Sequence, residues 1–124
     1  MLETGTRAPG FELQNQDGES VRLAAMTGEY VIVYFYPRAD TPGCTTEACS
    51  FRDSWSEYAD ANVSVVGISD DPVPDIKAFA EKHDLPFDLL SDEDGSVASQ
   101  YESYGEKNMF GNTFDGVFRN TYVV

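Results

Sequence analysis

The feature that most constrains the fold of this chain is an apolar segment that runs through a short loop into an amphipathic stretch. Residues 30–36 (YVIVYFY) are β-branched or aromatic and predict a buried strand. A helix with one apolar face is predicted after the loop, because apolar residues recur there at helical spacing. These residues are Ala48, Phe51, Trp55 and Tyr58. A strand, a short loop and a helix in succession can hold one reactive side chain in a fixed position.

The start of this helix is predicted from its capping residues. Thr41 is suited to the N-cap, and Pro42 to the first helical position, where its missing N–H costs nothing. Cys44 then lies in the first turn. Unpaired backbone N–H groups and the positive end of the helix dipole favour a thiolate over a thiol there. Cys44 is therefore predicted to be a nucleophile, and the alternative is a buried free cysteine that acts as a small apolar side chain.

The second cysteine, Cys49, follows Cys44 by five positions. On an α-helix this spacing corresponds to a rise of about 7.5 Å and a Cα–Cα distance of roughly 8.6 Å. A disulfide needs about 4.4–6.8 Å between Cα atoms. If the two cysteines pair, the first turns of the helix must therefore unfold.

Length and composition predict one domain spanning residues 1–124, because 124 residues with 41% hydrophobic content can bury a core. No run approaches the roughly 18 apolar residues of a membrane helix, and the start MLETGTRAPG does not resemble a signal peptide. A cytoplasmic location is expected. In that compartment two cysteines are typical of catalysis or redox activity rather than of a permanent disulfide.

The charge balance is strongly acidic, with 22 acidic against 8 basic residues and a formal net charge of -14. Such a chain is not expected to bind nucleic acid or anionic membrane surfaces. The acidity fits either an ordinary solvated surface or adaptation to high salt. Two cysteines and one histidine cannot form a closed zinc site of four protein ligands, so neither a metal nor a cofactor is expected. The histidine, His83, is predicted to be a capping or surface residue at a helix end.

The remaining segments predict strands that alternate with helices, and therefore an α/β layer sandwich. Asp17-Gly18 is the turn signal of a hairpin formed by residues 11–14 and 19–23. The predicted strands further on are 63–69, 87–90 and material within 113–124. The predicted helices contain Ile76, Phe79 and Ala80 in one case and residues 95–104 in the other, and residues 105–111 are predicted to be a loop.

Pro37, Thr41 and Cys44 match the Pro-x-x-x-Thr-x-x-Cys signature of the peroxiredoxins. The longer string DTPGCTTEACSFRD resembles the bacterioferritin comigratory protein, or peroxiredoxin Q, branch of that family. Further matches follow in order: AEKH with LPF, then LSD, then YGEK. The resemblance implies a thioredoxin-like sandwich with an N-terminal β-hairpin. Because the family continues beyond the position of Val124, the chain is expected to be truncated and to lack the usual last strand and C-terminal helix.

The resemblance also implies a function, which is the reduction of hydrogen peroxide and organic hydroperoxides. Cys44 would form a sulfenic acid, and Cys49 would resolve it as an intramolecular disulfide that a thioredoxin-like protein reduces. The alternative for Cys49 is a bystander, with Cys44 resolved by an outside thiol. The alternative for the whole chain is a non-catalytic binding module that the disulfide switches. A monomer or weak homodimer is expected.

The other site residues follow from the same resemblance. Thr41 would donate through its hydroxyl, and Arg119 would donate to both the sulfur and the peroxide. Pro37 and Pro42 would shield the pocket, and the residues around Gly43 would be the part of the helix that opens. Glu47 would orient Arg119, or alternatively would be a first-turn glutamate that complements the helix dipole.

Overall fold

The segment predicted as a buried strand lies inside a six-stranded sheet, one strand from its edge. The computed structural model describes residues 10–23, 30–36, 42–109, 112–117 and 120–123. The elements in chain order are β1 (Glu12–Asn15), β2 (Ser20–Arg22), β3 (Tyr30–Phe35), α1 (Pro42–Asp53), α2 (Trp55–Asp60), β4 (Val63–Ser69), α3 (Val73–Lys82), β5 (Asp88–Ser91), α4 (Ser96–Gln100), β6 (Tyr104–Met109), β7 (Asn112–Val117) and β8 (Asn120–Val123).

The strand order of the sheet is β2-β1-β5-β4-β3-β8. The adjacent strands β5, β4 and β3 are parallel to one another, and the helices between them provide the crossovers. The N-terminal hairpin extends one side of the sheet, where β1 pairs antiparallel with β5. On the other side β8 pairs antiparallel with β3. This confirms the predicted mixed α/β sandwich with an added hairpin.

Strand β3 is buried because both of its faces pack into apolar clusters. Val33 and Phe35 belong to the cluster that also contains Val97 and Tyr101 from the region of α4. Tyr34 and Tyr36 belong to the cluster that α1 and α3 cover. A strand buried on both faces carries a continuous apolar run, which explains why residues 30–36 show no polar alternation.

The structure confirms several predicted elements and corrects three. The hairpin, the strand at 63–69 and the helix around Ile76 are confirmed. The helix predicted over 95–104 is shorter and spans Ser96–Gln100. Gly95 before it and Glu102 after it have positive φ angles of 70° and 56°, which an α-helix does not allow. The amphipathic stretch that starts at Pro42 is two helices, since Ser54 interrupts it between α1 and α2.

The prediction of a loop over residues 105–111 is wrong for residues 105–109, and residues 110–111 lie outside the described residues. Residues 104–109 form β6, which pairs antiparallel with β7 as a two-stranded sheet of its own. The sequence YGEKNM lacks the apolar alternation that indicates a strand, so the strand becomes evident only from its pairing with β7. The single-domain organisation of residues 1–124 and the missing C-terminal strand and helix stay predictions.

Candidate active site

The site predicted from the sequence centres on the first turns of α1. This helix begins at Pro42, as the proline at the first helical position predicts. Cys44 is the third helical residue, so its backbone lies in the first turn as predicted. The side chains of Pro42 and Cys44 lie outside the described part of the structure.

Three other predicted site residues also fall outside the described residues. Pro37 and Thr41 belong to the segment 37–41 between β3 and α1, and Arg119 directly precedes β8. Their predicted roles therefore stay predictions. Asn120, the covalent neighbour of Arg119, pairs with Phe35 at the end of β3 that leads towards α1.

The electrostatic setting of the first turn of α1 favours an anion. The first N–H groups of a helix have no intrahelical acceptor and lie at the positive end of its dipole. The first turn of α1 contains no acidic residue. Because Glu47 is the sixth helical residue, the alternative interpretation of Glu47 as a first-turn glutamate is wrong. Its proposed action on Arg119 stays a prediction.

Cys49 lies one and a third turns after Cys44 on the same helix, and it carries a free thiol. Cys49 is half-buried and borders an open groove of about 540 Å³. The other residues that line this groove are Thr45, Thr46, Ser50, Asp53 and Ser54. Because α1 is continuous between the two cysteines, their Cα atoms are roughly 8.6 Å apart, beyond disulfide range. The helix therefore represents a reduced state.

His83 contacts Cys49 from a neighbouring element. It is the C-cap residue of α3, which confirms the predicted capping position. Its Nδ1 lies 3.9 Å from the Sγ of Cys49, and its carbonyl oxygen accepts a hydrogen bond of 2.9 Å from Nη1 of Arg52. The contact with Cys49 was not predicted, because the two residues are 34 positions apart and no local pattern connects them.

The second half of α1 is anchored on the sheet by apolar contacts. Ala48 is fully buried, and the ring of Phe51 stacks on that of Tyr34 with 4.8 Å between centroids. Phe87 contacts both Phe51 and Trp55 through its ring. In contrast, Thr45 and Glu47 are only half-buried and Thr46 is exposed. Among the described side chains of α1, those before Ala48 are therefore less buried than those that follow, which favours opening of the helix from that end.

The described residues contain no group of three or more histidine, cysteine, aspartate or glutamate side chains arranged to hold a metal ion. Within the same part of the chain, no helix combines the length and the hydrophobicity needed to cross a bilayer.

A mixed sheet with this strand order, and a cysteine in the first turn of the helix that follows a central strand, define a thioredoxin-like protein of the peroxiredoxin type. Residues 4–124 match the model of the AhpC/TSA family. Peroxiredoxin Bcp of Escherichia coli is 48% identical over 123 residues, which cover 99% of this chain and 79% of that protein.

Solved structures agree with this assignment. The crystal structure of peroxidoxin BcpB from Mycobacterium tuberculosis superposes with a TM-score of 0.88 at 41% identity, covering 100% of this chain and 79% of that one. A Xanthomonas campestris bacterioferritin comigratory protein gives a TM-score of 0.85 at 32% identity over 92% of this chain and 73% of its own. The chain therefore belongs to the AhpC/TSA family. Within that family it is a peroxiredoxin, an enzyme with peroxidase activity.

Proposed function

We propose that the enzyme reduces hydrogen peroxide and organic hydroperoxides at Cys44, and that Cys49 resolves the oxidised sulfur as an intramolecular disulfide. The observation that carries this proposal is the position of both cysteines on α1, one in its first turn and one a turn and a third later. The first position favours a thiolate, and the second is close in sequence but beyond bonding distance.

The first step is attack by the Cys44 thiolate on one peroxide oxygen. The S–O bond forms as the O–O bond breaks, and the leaving oxygen takes a proton and departs as water or an alcohol. Backbone N–H groups of the first turn stabilise the charge that develops on the oxygens. Thr41 donates through its hydroxyl, and the segment that includes Pro37, Pro42 and Gly43 shapes the pocket.

Arg119 provides the positive charge of the site in this proposal. Two observations on its neighbours support the role. Asn120 pairs with Phe35, and Phe35 lies at the end of β3 from which the chain continues to α1. Because consecutive Cα atoms are about 3.8 Å apart, Arg119 is expected close to the end of β3 that leads to α1. Glu47, on the second turn of α1, orients the guanidinium.

The second step is attack by the Cys49 sulfur on the Cys44 sulfenic acid. The S–S bond forms, the S–O bond breaks, and the oxygen leaves as water. The first turns of α1 must open for this step, since the intact helix holds the Cα atoms too far apart. A dithiol protein of the thioredoxin type then reduces the disulfide by thiol–disulfide exchange.

The substrate range includes organic hydroperoxides by analogy with the Xanthomonas campestris relative, for which an alkyl peroxide reduction activity is described. Hydrogen peroxide is uncharged, so the net charge of -14 is not expected to repel it. A single domain over residues 1–124, a cytoplasmic location and a monomeric or weakly dimeric state are part of the same proposal.

The test is stoichiometric peroxide addition to the reduced protein, followed by dimedone trapping and mass spectrometry. The Cys44→Ser variant is expected to lose peroxide turnover. The Cys49→Ser variant is expected to retain the first oxidation and to accumulate one dimedone-trapped sulfenic acid per chain at Cys44. Equal loss of that first oxidation in both variants would contradict the assigned roles. Thiol loss as slow as that of an ordinary cysteine would instead favour the non-catalytic switch.

A further inference from the structure

His83, the one histidine of the sequence, lies against the sulfur that the proposed resolution step uses. Its Nδ1 is 3.9 Å from the Sγ of Cys49, within the longer range of contacts that involve sulfur. Catalytic hydrogen bonds are often long before the reactants are in place. The two atoms are therefore positioned for a proton transfer that needs little movement.

Two contacts, one through its backbone and one through its ring, hold His83 in this position. Its backbone carbonyl accepts a hydrogen bond of 2.9 Å from Nη1 of Arg52, three residues after Cys49 on α1. Its ring meets the ring of Phe79 edge-on, with 5.3 Å between centroids and an angle of 76°. Phe79 is almost fully buried in α3. A backbone contact and a ring contact thus support the position of His83 beside Cys49.

We propose that His83 is the proton acceptor for Cys49 in the resolution step. This inference rests on the proposed role of Cys49 as the resolving cysteine. Only a thiolate attacks sulfur effectively, so the Cys49 thiol must lose its proton at or before the attack. Imidazole is the most common general base of proteins near neutral pH.

The step balances without any additional reagent. The proton of the Cys49 thiol moves to Nδ1 of His83. The resulting thiolate attacks the Cys44 sulfenic acid, so that the S–S bond forms and the S–O bond breaks. The departing hydroxide takes up one proton from the imidazolium, directly or through solvent, and leaves as water. His83 is then neutral again.

This role predicts that His83 affects one step only. Oxidation of Cys44 by peroxide does not involve the Cys49 proton, so its rate is expected to be independent of His83. General base catalysis typically contributes about 100-fold or more, so loss of the proton acceptor is expected to slow disulfide formation by at least about 10-fold. If His83 had a purely structural role, its substitution would not be expected to slow disulfide formation while leaving Cys44 oxidation unchanged.

The experiment is a single turnover at pH 7 with the full chain, followed by rapid quenching and mass spectrometry of the sulfenic acid and the disulfide. The variants are His83→Ala and His83→Asn. Both are expected to form the sulfenic acid within about twofold of the wild-type rate and the disulfide about 10-fold more slowly. Free imidazole added to His83→Ala is expected to restore most of the lost rate. The matched control is Asp84→Asn at the next, exposed position, which is expected to leave both steps unchanged.

Disulfide formation at the wild-type rate in either His83 variant would overturn the inference. Slowing that imidazole does not relieve would also overturn it, because it would indicate a structural role. A wild-type protein that forms the sulfenic acid but no Cys44–Cys49 disulfide would contradict the proposed function of Cys49 itself, and with it this role of His83.

Discussion

The ring of Phe51 on α1 stacks on the ring of Tyr34 in β3, with 4.8 Å between centroids and 28° between planes. Tyr34 in turn meets Phe87 nearly edge-on, so three rings connect α1, the central strand and the segment before β5. This contact fixes the second half of the helix, whereas the described side chains before Ala48 are half-buried or exposed. Among the described side chains, those that anchor the helix thus begin at Ala48.

Phe51→Ala is expected to destabilise the protein by about 2 kcal/mol, because a half-buried aromatic side chain loses its packing and leaves a cavity. It should also speed disulfide formation after Cys44 oxidation, since the helix opens more easily. Urea unfolding and single-turnover quenching measure the two effects. Ser50→Ala on the exposed side of the same helix should change stability by less than about 0.5 kcal/mol. Slower disulfide formation in Phe51→Ala would contradict the account.

Gly67 allows the Tyr34 ring to lie directly against β4. A methyl group at Gly67 would come within 2.6 Å of the Tyr34 ring and 3.0 Å of Leu89. Gly67→Ala is therefore expected to destabilise the protein by about 1–3 kcal/mol through overpacking. Combining it with Tyr34→Leu should recover part of that loss in a double-mutant cycle. Strict additivity of the two substitutions in urea unfolding would show that the clash is not the cause.

Sequence reasoning located the elements that are defined by burial or by local capping. The segments at 30–36 and 63–69 are apolar because both are inner strands, and Pro42 marks the start of α1 through its own geometry. The reactive cysteine in the first turn follows directly from that start. These features depend on residues close together in the sequence, which is why periodicity and capping rules detect them.

Most of the features that the sequence did not reveal depend on contacts between residues that are far apart in the chain. Strands β6 and β7 pair with each other, and the polar string EKN in β6 has no strand pattern of its own. The contact of His83 with Cys49 arises only because α3 ends beside α1. The early end of α4 depends on Glu102, which adopts a positive φ that no propensity rule assigns to glutamate.

Asp92 provides a pH-dependent test of the fold. Its buried carboxylate accepts hydrogen bonds from the N–H groups of Val97 (3.2 Å) and Ala98 (2.9 Å) at the start of α4. Burial raises the pKa of Asp92 more than these bonds lower it. Because the pKa of Asp92 is raised in the folded state, its contribution to the free energy of unfolding is fully present below about pH 3.9. That contribution is lost as the pH rises through the pKa of the folded state.

The expected result is a difference between the wild type and Asp92→Asn that changes with pH. The free energy of unfolding of the wild type, minus that of Asp92→Asn, should fall as the pH rises from about 4 towards 7. Urea unfolding at several pH values measures this difference and cancels the titration of other groups. A difference that grows with pH would contradict the prediction, because it would mean that the two N–H hydrogen bonds outweigh burial and stabilise Asp92 as an anion.

Arg119→Met is expected to slow the oxidation of Cys44 by about 100-fold, the usual cost of losing one donor to a developing anion. Stopped-flow measurement of peroxide consumption provides the rate, and the stability of the fold should change little. The control is Arg22→Met, which removes an exposed arginine paired with Glu12 at 3.7 Å on the hairpin. Equal rates for Arg119→Met and the wild type would remove Arg119 from the site.

The most direct test of the account is amide hydrogen exchange across residues 42–53 in the reduced protein and in the peroxide-oxidised protein. Because an intact helix separates Cys44 and Cys49 by roughly 8.6 Å between Cα atoms, the reduced form should protect the α1 amides that have helical acceptors. The disulfide form should lose protection in the first turns, while β3 and β4 remain protected. Unchanged protection of α1 in a protein whose Cys44–Cys49 disulfide is verified by mass spectrometry would contradict the account.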